Sequence, residues 1–305
     1  MRGRAEIKNS PEIQFSKGIV RCIIKMAKEG DILNTVEQIH QQDLQRLKLL
    51  RYMDDDFMSV CLADNFDGVE LILRIVLGQK DIKIKSIRTQ EPMKNLQGRS
   101  ATLDVHATDS ANKEFDVEIQ RSDTGAGAKR ARHNSSLLDA HILKPGDDTE
   151  NIPDSYVIFI TENDVIGKKQ AVYHIQRYVE TSEGKELFGD GSHILYVNGK
   201  YRGNDEVGKL MHDFSCTNPD DMNYETLAKK ARYFKQDKEG VTAMCKMLED
   251  MRNEAAREAA LDNAKETAER MIRDREMSLE KIAHYVPLLS MDDLREIEAK
   301  VFQLA

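Results

Sequence analysis

Nothing narrows the possible folds of this chain as much as the run Thr102-Leu-Asp-Val-His-Ala-Thr-Asp-Ser-Ala-Asn-Lys-Glu-Phe-Asp-Val-Glu-Ile-Gln120. Apolar and polar side chains alternate on either side of a turn-rich centre, Asp109-Ser-Ala-Asn-Lys113. A period of two interrupted by turn residues specifies a β-hairpin. Folded about Ala111, Leu103 faces Ile119, Val105 faces Val117 and Ala107 faces Phe115, so one face is wholly apolar. The other face sets Asp104 against Glu118, His106 against Asp116 and Thr102 against Gln120. A slip of one residue would mix the two faces, so the pattern holds its own register.

One pair in that register is out of place on an ordinary surface. Asp104 and Glu118 are like charges directly across a strand pair, which destabilises a sheet. A hard divalent cation reverses the sign, because Mg²⁺ takes oxygen ligands and is commonly held by one or two carboxylates together with substrate phosphate. Gln120, two residues beyond Glu118, shares their face and can position a water or a phosphate oxygen. The residues alone leave two readings open, a metal-binding pair of acids and a pair of solvated surface acids.

The rest of the chain divides into an N-terminal helical extension (1–50), a mixed core (51–215) and a C-terminal helical region (216–305). The first has an untidy set of apolar positions, Ile19, Ile23, Ile24 and Met26, then Leu44, Leu47, Leu49 and Leu50, interrupted at Gly30. In the second, 69–77 predicts a buried helix closed by Gly78. Strand-like runs follow at 82–87, 101–107, 115–120, 156–160, 171–178 and 193–197, with a helix over 128–143 ended by Lys144-Pro145-Gly146. Strands, an inserted helix and strands again imply an α/β (α+β) fold, a central mixed sheet flanked by helices. In the third, 240–277 predicts one long helix of Ala, Glu, Arg and Lys with Glu266–Arg270 as an i,i+4 pair. It lacks the heptads of a committed coiled coil and reads as an exposed arm, or as a helix packed on the body or on a partner helix, and so on a homo-oligomer. Two short helices follow at 278–285 and 290–302, the second opened by the capping-box form Ser290-Met-Asp-Asp293. They read as a helical hairpin or as a degenerate helix-turn-helix; Asp292, Asp293, Glu296 and Glu298 weigh against the latter, since acids are unfavourable facing phosphate.

Composition removes several function classes. No apolar run approaches the ~18–20 residues of a membrane span, and Leu71 to Leu77 is already broken by Arg74. Arg2, Arg4, Glu6 and Lys8 stand where a secretory signal would need an apolar stretch. Cys22, Cys61, Cys216 and Cys245 show no CxxC spacing, which argues against a zinc ribbon or a disulfide framework and fits a reducing cytoplasm. A net charge of −8 weighs against a nonspecific nucleic-acid binder. It leaves room for an enzyme whose acids hold a metal that in turn holds phosphate.

Asp104 on one strand and Glu118-Ile-Gln120 on the next resemble the PD-(D/E)XK nuclease core in its Glu-x-Gln variant. More specifically, residues from about 50 to 300 are similar to the recombination-promoting nucleases, or PD-(D/E)XK nuclease family transposases, of bacterial mobile elements. The matching words are Met53-Asp-Asp-Asp-Phe-Met58, Val76-Leu-Gly78, Leu103-Asp-Val105, Asp116-Val-Glu-Ile-Gln120 and Lys129-Arg-Ala-Arg132. They continue with Ser136-Leu-Leu-Asp139, Lys144-Pro-Gly146, Pro153-Asp-Ser-Tyr-Val-Ile-Phe-Ile160, Gly189-Asp-Gly191 and Ser278-Leu-Glu-Lys-Ile-Ala283.

The resemblance implies a restriction-endonuclease-like core and hydrolysis of DNA phosphodiesters dependent on Mg²⁺ (or Mn²⁺). Carried onto this chain, Asp104 and Glu118 are metal ligands, with the Ile119 carbonyl as a further one. Gln120 stands where most PD-(D/E)XK enzymes have lysine; it can orient a nucleophile but brings no positive charge. Asp56 or Glu70 supplies the first-helix acid that completes many such sites, although Asp56 reads equally as a helix N-cap and Glu70 as a solvated helix face. Lys129, Arg130 and Arg132, with Lys168 and Lys169, either pair DNA phosphates or form an ordinary charged surface. After Arg132 the family places two aromatic residues where this chain has His133 and Asn134; neither His106 nor His133 is assigned as base or ligand. That departure and the acidic net charge keep a second function open, a weak or inactive relative serving as a DNA-binding or helix-mediated assembly module.

Overall fold

In the computed structural model the described part of the chain begins with three helices, α1 (Glu29–Leu49), α2 (Asp55–Leu62) and α3 (Phe66–Leu77). Residues 29–94, 100–121, 125–143 and 146–303 are described; Ile19, Cys22, Ile23, Ile24, Met26 and the Lys144-Pro145 stop lie outside them. Two units divide the chain, Met1–Gln45 and Arg46–Ala305, and the sheet and every helix from α2 onward belong to the second. Helix α3 shows how local sequence sets an element. Asn65 caps it by accepting from Gly68 N at 3.1 Å, Val69, Ile72, Leu73 and Val76 make its buried stripe, and Gly78 ends it at φ +65°, a left-handed conformation that costs glycine little.

The strands are β1 (Ile84–Met93), β2 (Ala101–Asp109), β3 (Glu114–Gln120), β4 (Ser155–Thr161), β5 (Val172–Ile175), β6 (Tyr178–Thr181), β7 (Gly184–Leu187) and β8 (Ser192–Asn198). Six of them form one sheet in the order β1-β2-β3-β4-β8-β5, and β6 and β7 pair by themselves. β1, β2 and β3 run antiparallel in sequence. β3, β4 and β8 are parallel to one another, and β5 returns antiparallel on β8. Parallel neighbours need a crossover; between β3 and β4 it is α4 (Ala128–Ile142). The expected strand over 171–178 is two strands. β6 and β7 are exposed at every residue, so no buried face holds them in the main sheet.

β2 and β3 pair in the register the alternation requires, with Val105 opposite Val117, His106 opposite Asp116 and Ala107 opposite Phe115. The turn is fixed by Asp109, whose Oδ1 accepts from the N–H of Ala111 and of Lys113, each at 2.8 Å. Leu103 departs from expectation. It packs with Met93, Ala131 and Phe159, whereas Val105 and Ala107 join the core on the other side. The cause is local: the ladder stops at Val105–Val117, and beyond it Ile119 N donates to the Asp104 carboxylate at 2.9 Å. A side chain takes the place of a ladder carbonyl, so strict alternation ends there.

The core facing Val105, Val117, Ile158 and Ile160 is filled by Phe57 of α2, Leu73 of α3, and Leu210, Phe214 and Leu227 from α5 (Glu206–Ser215) and α6 (Glu225–Gln236). On the opposite face Val157 and Phe159 pack against Ala131, Leu137 and Leu138 of α4. The C-terminal helices are α7 (Lys238–Asp274), α8 (Leu279–Tyr285) and α9 (Met291–Gln303). Helix α7 buries Met244 and Leu248 against the body, and its far end forms a separate core of Ala268, Ile272, Ile282, Val286, Leu289 and Leu294. Arg275 ends α7 in the left-handed region at φ +56°. The capping box forms as the sequence implies, Asp293 N donating to Ser290 Oγ at 3.1 Å and Ser290 N to Asp293 Oδ2 at 2.8 Å. Among the described residues no helix is long and apolar enough to cross a membrane.

Candidate active site

The site grows out of the place where the β2–β3 ladder fails. Asp104 turns its carboxylate back onto Ile119 N, while its own N–H points at Glu118 Oε1, 3.4 Å away. Because β3 pairs with β4 in parallel, Asp116 and Glu118 sit beside Val157 and Phe159, on the face that α4 covers. Both acids are buried. The polar side of the hairpin is therefore an interior, not a solvent face.

Burial and the nearby Glu118 charge push the Asp104 carboxyl up to about 7. Burial and the same Glu118 charge hold Asp116 well above the usual carboxylate range. Glu118 is also raised by burial, against the opposing pull of Arg130. Asp116 Oδ2 accepts from Asn134 Nδ2 at 3.4 Å. Its Oδ1 is, among the described residues, a buried side-chain oxygen with no hydrogen-bond partner. Three crowded acids with raised pKa values and an orphaned carboxylate oxygen make a donor set short of positive charge. That fits a hard dication bound through oxygen.

The positive charge present is Arg130. It reaches from α4 to donate to Glu118 Oε2 at 2.8 Å, to Gln120 Oε1 at 2.7 Å and to the Gly125 carbonyl at 3.2 Å. Its guanidinium also lies over the Phe159 ring, 5.7 Å from the centroid. Gly125 allows this approach, since a Cβ there would come within 2.0 Å of the Gln120 side chain. A cleft of about 820 Å³ opens in front, lined by Thr102, Asp104, Gly125, Lys129, Arg130, His133 and Asn134.

The structure brings Asp104, Glu118, Ile119 and Gln120 together with Arg130. Lys129 and Arg132 lie exposed on the same helix. Glu70 is committed elsewhere. Burial works to raise its pKa, but Ile84 N–H at 3.0 Å, Lys83 and Arg74 outweigh that and lower it. Ile84 pairs with Asp109, five residues or roughly 17 Å along β2 from Asp104. The N-cap of α2 is Asp54 rather than Asp56. Asp56 is raised by burial and by Asp55, and the α2 acid whose charge raises Asp104 is Asp55. His106 is buried and satisfied, between Glu91 and Glu114 Oε2, the latter at 2.8 Å. Asn134, in an expected aromatic position, is also buried and gives Asp116 its amide. Asp116 and Asp55 went unassigned at the level of sequence. The parity of Asp116 with Glu118 on β3 was the available signal for the first; for Asp55 nothing separated it from its neighbours.

A six-stranded mixed sheet flanked by helices, with an Asp and a Glu-x-Gln on adjacent antiparallel strands, defines the PD-(D/E)XK nuclease fold. The model of the PD-(D/E)XK nuclease family transposases matches residues 70–285, and the chain belongs to that family. Neither the curated proteins nor the solved structures gave a match to it.

Proposed function

We propose that the chain is a Mg²⁺- or Mn²⁺-dependent endodeoxyribonuclease working for a mobile element. The observation that carries this reading is the convergence of Asp104, Asp116 and Glu118 beside Arg130, with Asp104 and Arg130 at the wall of the cleft and the other two acids buried behind it. Asp104, Glu118 and the Ile119 carbonyl would hold the cation, with Asp116 behind Glu118. A hard dication bound there supplies Lewis acidity to the phosphoryl group and to the hydrolytic water. The remaining work falls to the chain. Arg130 sets beside Glu118 the charge that a glutamine in the lysine position lacks, where it can stabilise a pentavalent phosphorane-like transition state. Gln120, oriented through its Oε1 by Arg130, presents its amide N–H groups to a phosphate oxygen or a water. Lys129 lines the cleft, Arg132 stands exposed on the same helix, and both pair the DNA backbone.

One observation favours the second reading, a DNA-binding or assembly module without strong activity: Arg130 already neutralises Glu118. Incubation of supercoiled plasmid with the full chain separates them. Nicked circles with Mg²⁺, none with EDTA and none with Asp104→Asn support the nuclease. Retained DNA binding with no nicking under Mg²⁺ or Mn²⁺ leaves the module.

A further inference from the structure

A second cluster of ligand-type side chains lies under the other face of the sheet, at the end of α5. His212-Asp-Phe-Ser-Cys216 places His212 and Cys216 four residues apart, on one side of the last turn. The chain then folds back through a tight turn at Pro219–Asp221. On returning, Asn223 N donates to Asp213 Oδ1 at 2.7 Å and Tyr224 N to Oδ2 at 2.8 Å. Asp213, with no exposed surface, is thereby fixed in place. His212 Nδ1 lies 3.3 Å from Asp213 Oδ1 and 3.5 Å from Cys216 Sγ.

In the metal-free fold one amide bridges the two acceptors. Asn223 Nδ2 lies 3.0 Å from His212 Nδ1 and 2.8 Å from Asp213 Oδ1. An amide nitrogen only donates, so Nδ1 bears a lone pair and faces a carboxylate oxygen as acceptor against acceptor. Both acceptors converge on one electrophile, here the Asn223 amide, and a cation can take its place. Tetrahedral zinc, with Zn–N and Zn–O near 2.0 Å and Zn–S near 2.3 Å, has N···O edges of about 3.3 Å and N···S edges of about 3.5 Å. The N···O edge stands at that length here; Cys216 Sγ lies over the imidazole, 3.5 Å from Nδ1 and 3.8 Å from Nε2, and a turn of the exposed His212 ring aims Nδ1 between the two ligands.

We propose that His212 Nδ1, Asp213 Oδ1 and Cys216 Sγ bind a borderline-soft transition dication, Zn²⁺ in the first instance, which displaces the Asn223 N–H from Nδ1. Water completes the tetrahedron. An imidazole and a thiolate are poor ligands for Mg²⁺, so this site is chemically distinct from the acid cluster and does not depend on the nuclease reading. Bound there, the ion ties the end of α5 to the segment that enters α6.

Titration of the reduced, chelator-treated full chain with Co²⁺ tests the proposal. The expected result is a near-ultraviolet thiolate-to-Co²⁺ absorption that saturates at one equivalent and is bleached by Zn²⁺. Cys216→Ser abolishes it, Asp104→Asn retains it, and His212→Ala weakens Co²⁺ binding by about tenfold or more, since losing even an outer-shell partner costs about 10–100-fold. His212 is exposed and Cys216 half-buried, so both variants keep the fold, which circular dichroism checks. Absence of the thiolate absorption in the wild type, or its survival in Cys216→Ser, overturns the site.

Discussion

Asp104 is held in its folded position at a cost that depends on pH. Its carboxyl titrates near 7 in the metal-free fold, against roughly 3.9 in an unfolded chain. Between those values the folded state keeps a proton that the unfolded state releases, so stability present below about pH 4 is lost as the pH rises through 7. Asp104→Asn has no such proton to lose. In EDTA, melts of wild type and variant should coincide near pH 4. Above pH 7 the variant should be the more stable by on the order of 1 kcal/mol, about 2–4 °C for a chain of this size. Mg²⁺ at pH 8 should then stabilise the wild type and not the variant, because only the wild type binds it in the folded state. Arg130 acts in the opposite sense. Glu118 is 1% exposed and its partner 45%, so Arg130→Ala strands a buried carboxylate. That should cost the metal-free fold about 1–2 kcal/mol, below the full value for a buried pair because the arginine is half in water. Mg²⁺ should recover part of the loss, read as a larger thermal shift than in wild type; an unchanged melting temperature in EDTA would mean that the ion pair contributes nothing.

Helix α4 carries both charged groups and packing, on different sides. Ala131, Leu137 and Leu138 seal the sheet, Arg130 and Asn134 reach the acids, and Lys129 and Arg132 stand in solvent. If the outer pair contacts phosphates, Lys129→Ala and Arg132→Ala should each weaken DNA binding and reduce the slope of log K against log salt by about 1, with folding intact. Fluorescence anisotropy across a salt series measures this, and an unchanged slope returns them to an ordinary charged helix face. Arg130 belongs to a different test because its guanidinium is already spent on Glu118 and Gln120.

At the scale of the whole molecule, the sheet and the C-terminal helices rest on separate cores. Leu294 is fully buried in the C-terminal one, and Leu294→Ala should cost about 2–5 kcal/mol. The loss should appear as faster hydrogen exchange in α8, α9 and the end of α7, with β2, β3 and β4 unchanged; equal loss across the sheet would show one cooperative unit. The same contrast between near and far separates what could be read from residues in order. Alternation across Ala111 set the Val105–Val117 register, Gly78 ended α3, and Ser290 with Asp293 opened α9, because each depends on neighbours a few positions away. Asp104 and Glu118 were legible as a misplaced pair for the same reason. Their burial was not, because the cover over Asp116 and Glu118 comes from α4, and desolvation is a property of what lies across space. Nor could the basic run at 129–132 say that Arg130 turns inward while its neighbours stay out, since the phase of a helix against a sheet is decided by packing. Leu103 crossing to the α4 side, the charge of Asp55 rather than Asp56 raising Asp104, and His212, Asp213 and Cys216 meeting beside Asn223 obey the same rule. Sequence determined the elements and their pairing through short-range sterics and polarity; only the tertiary structure decided which charges lost their water, and with it their chemistry.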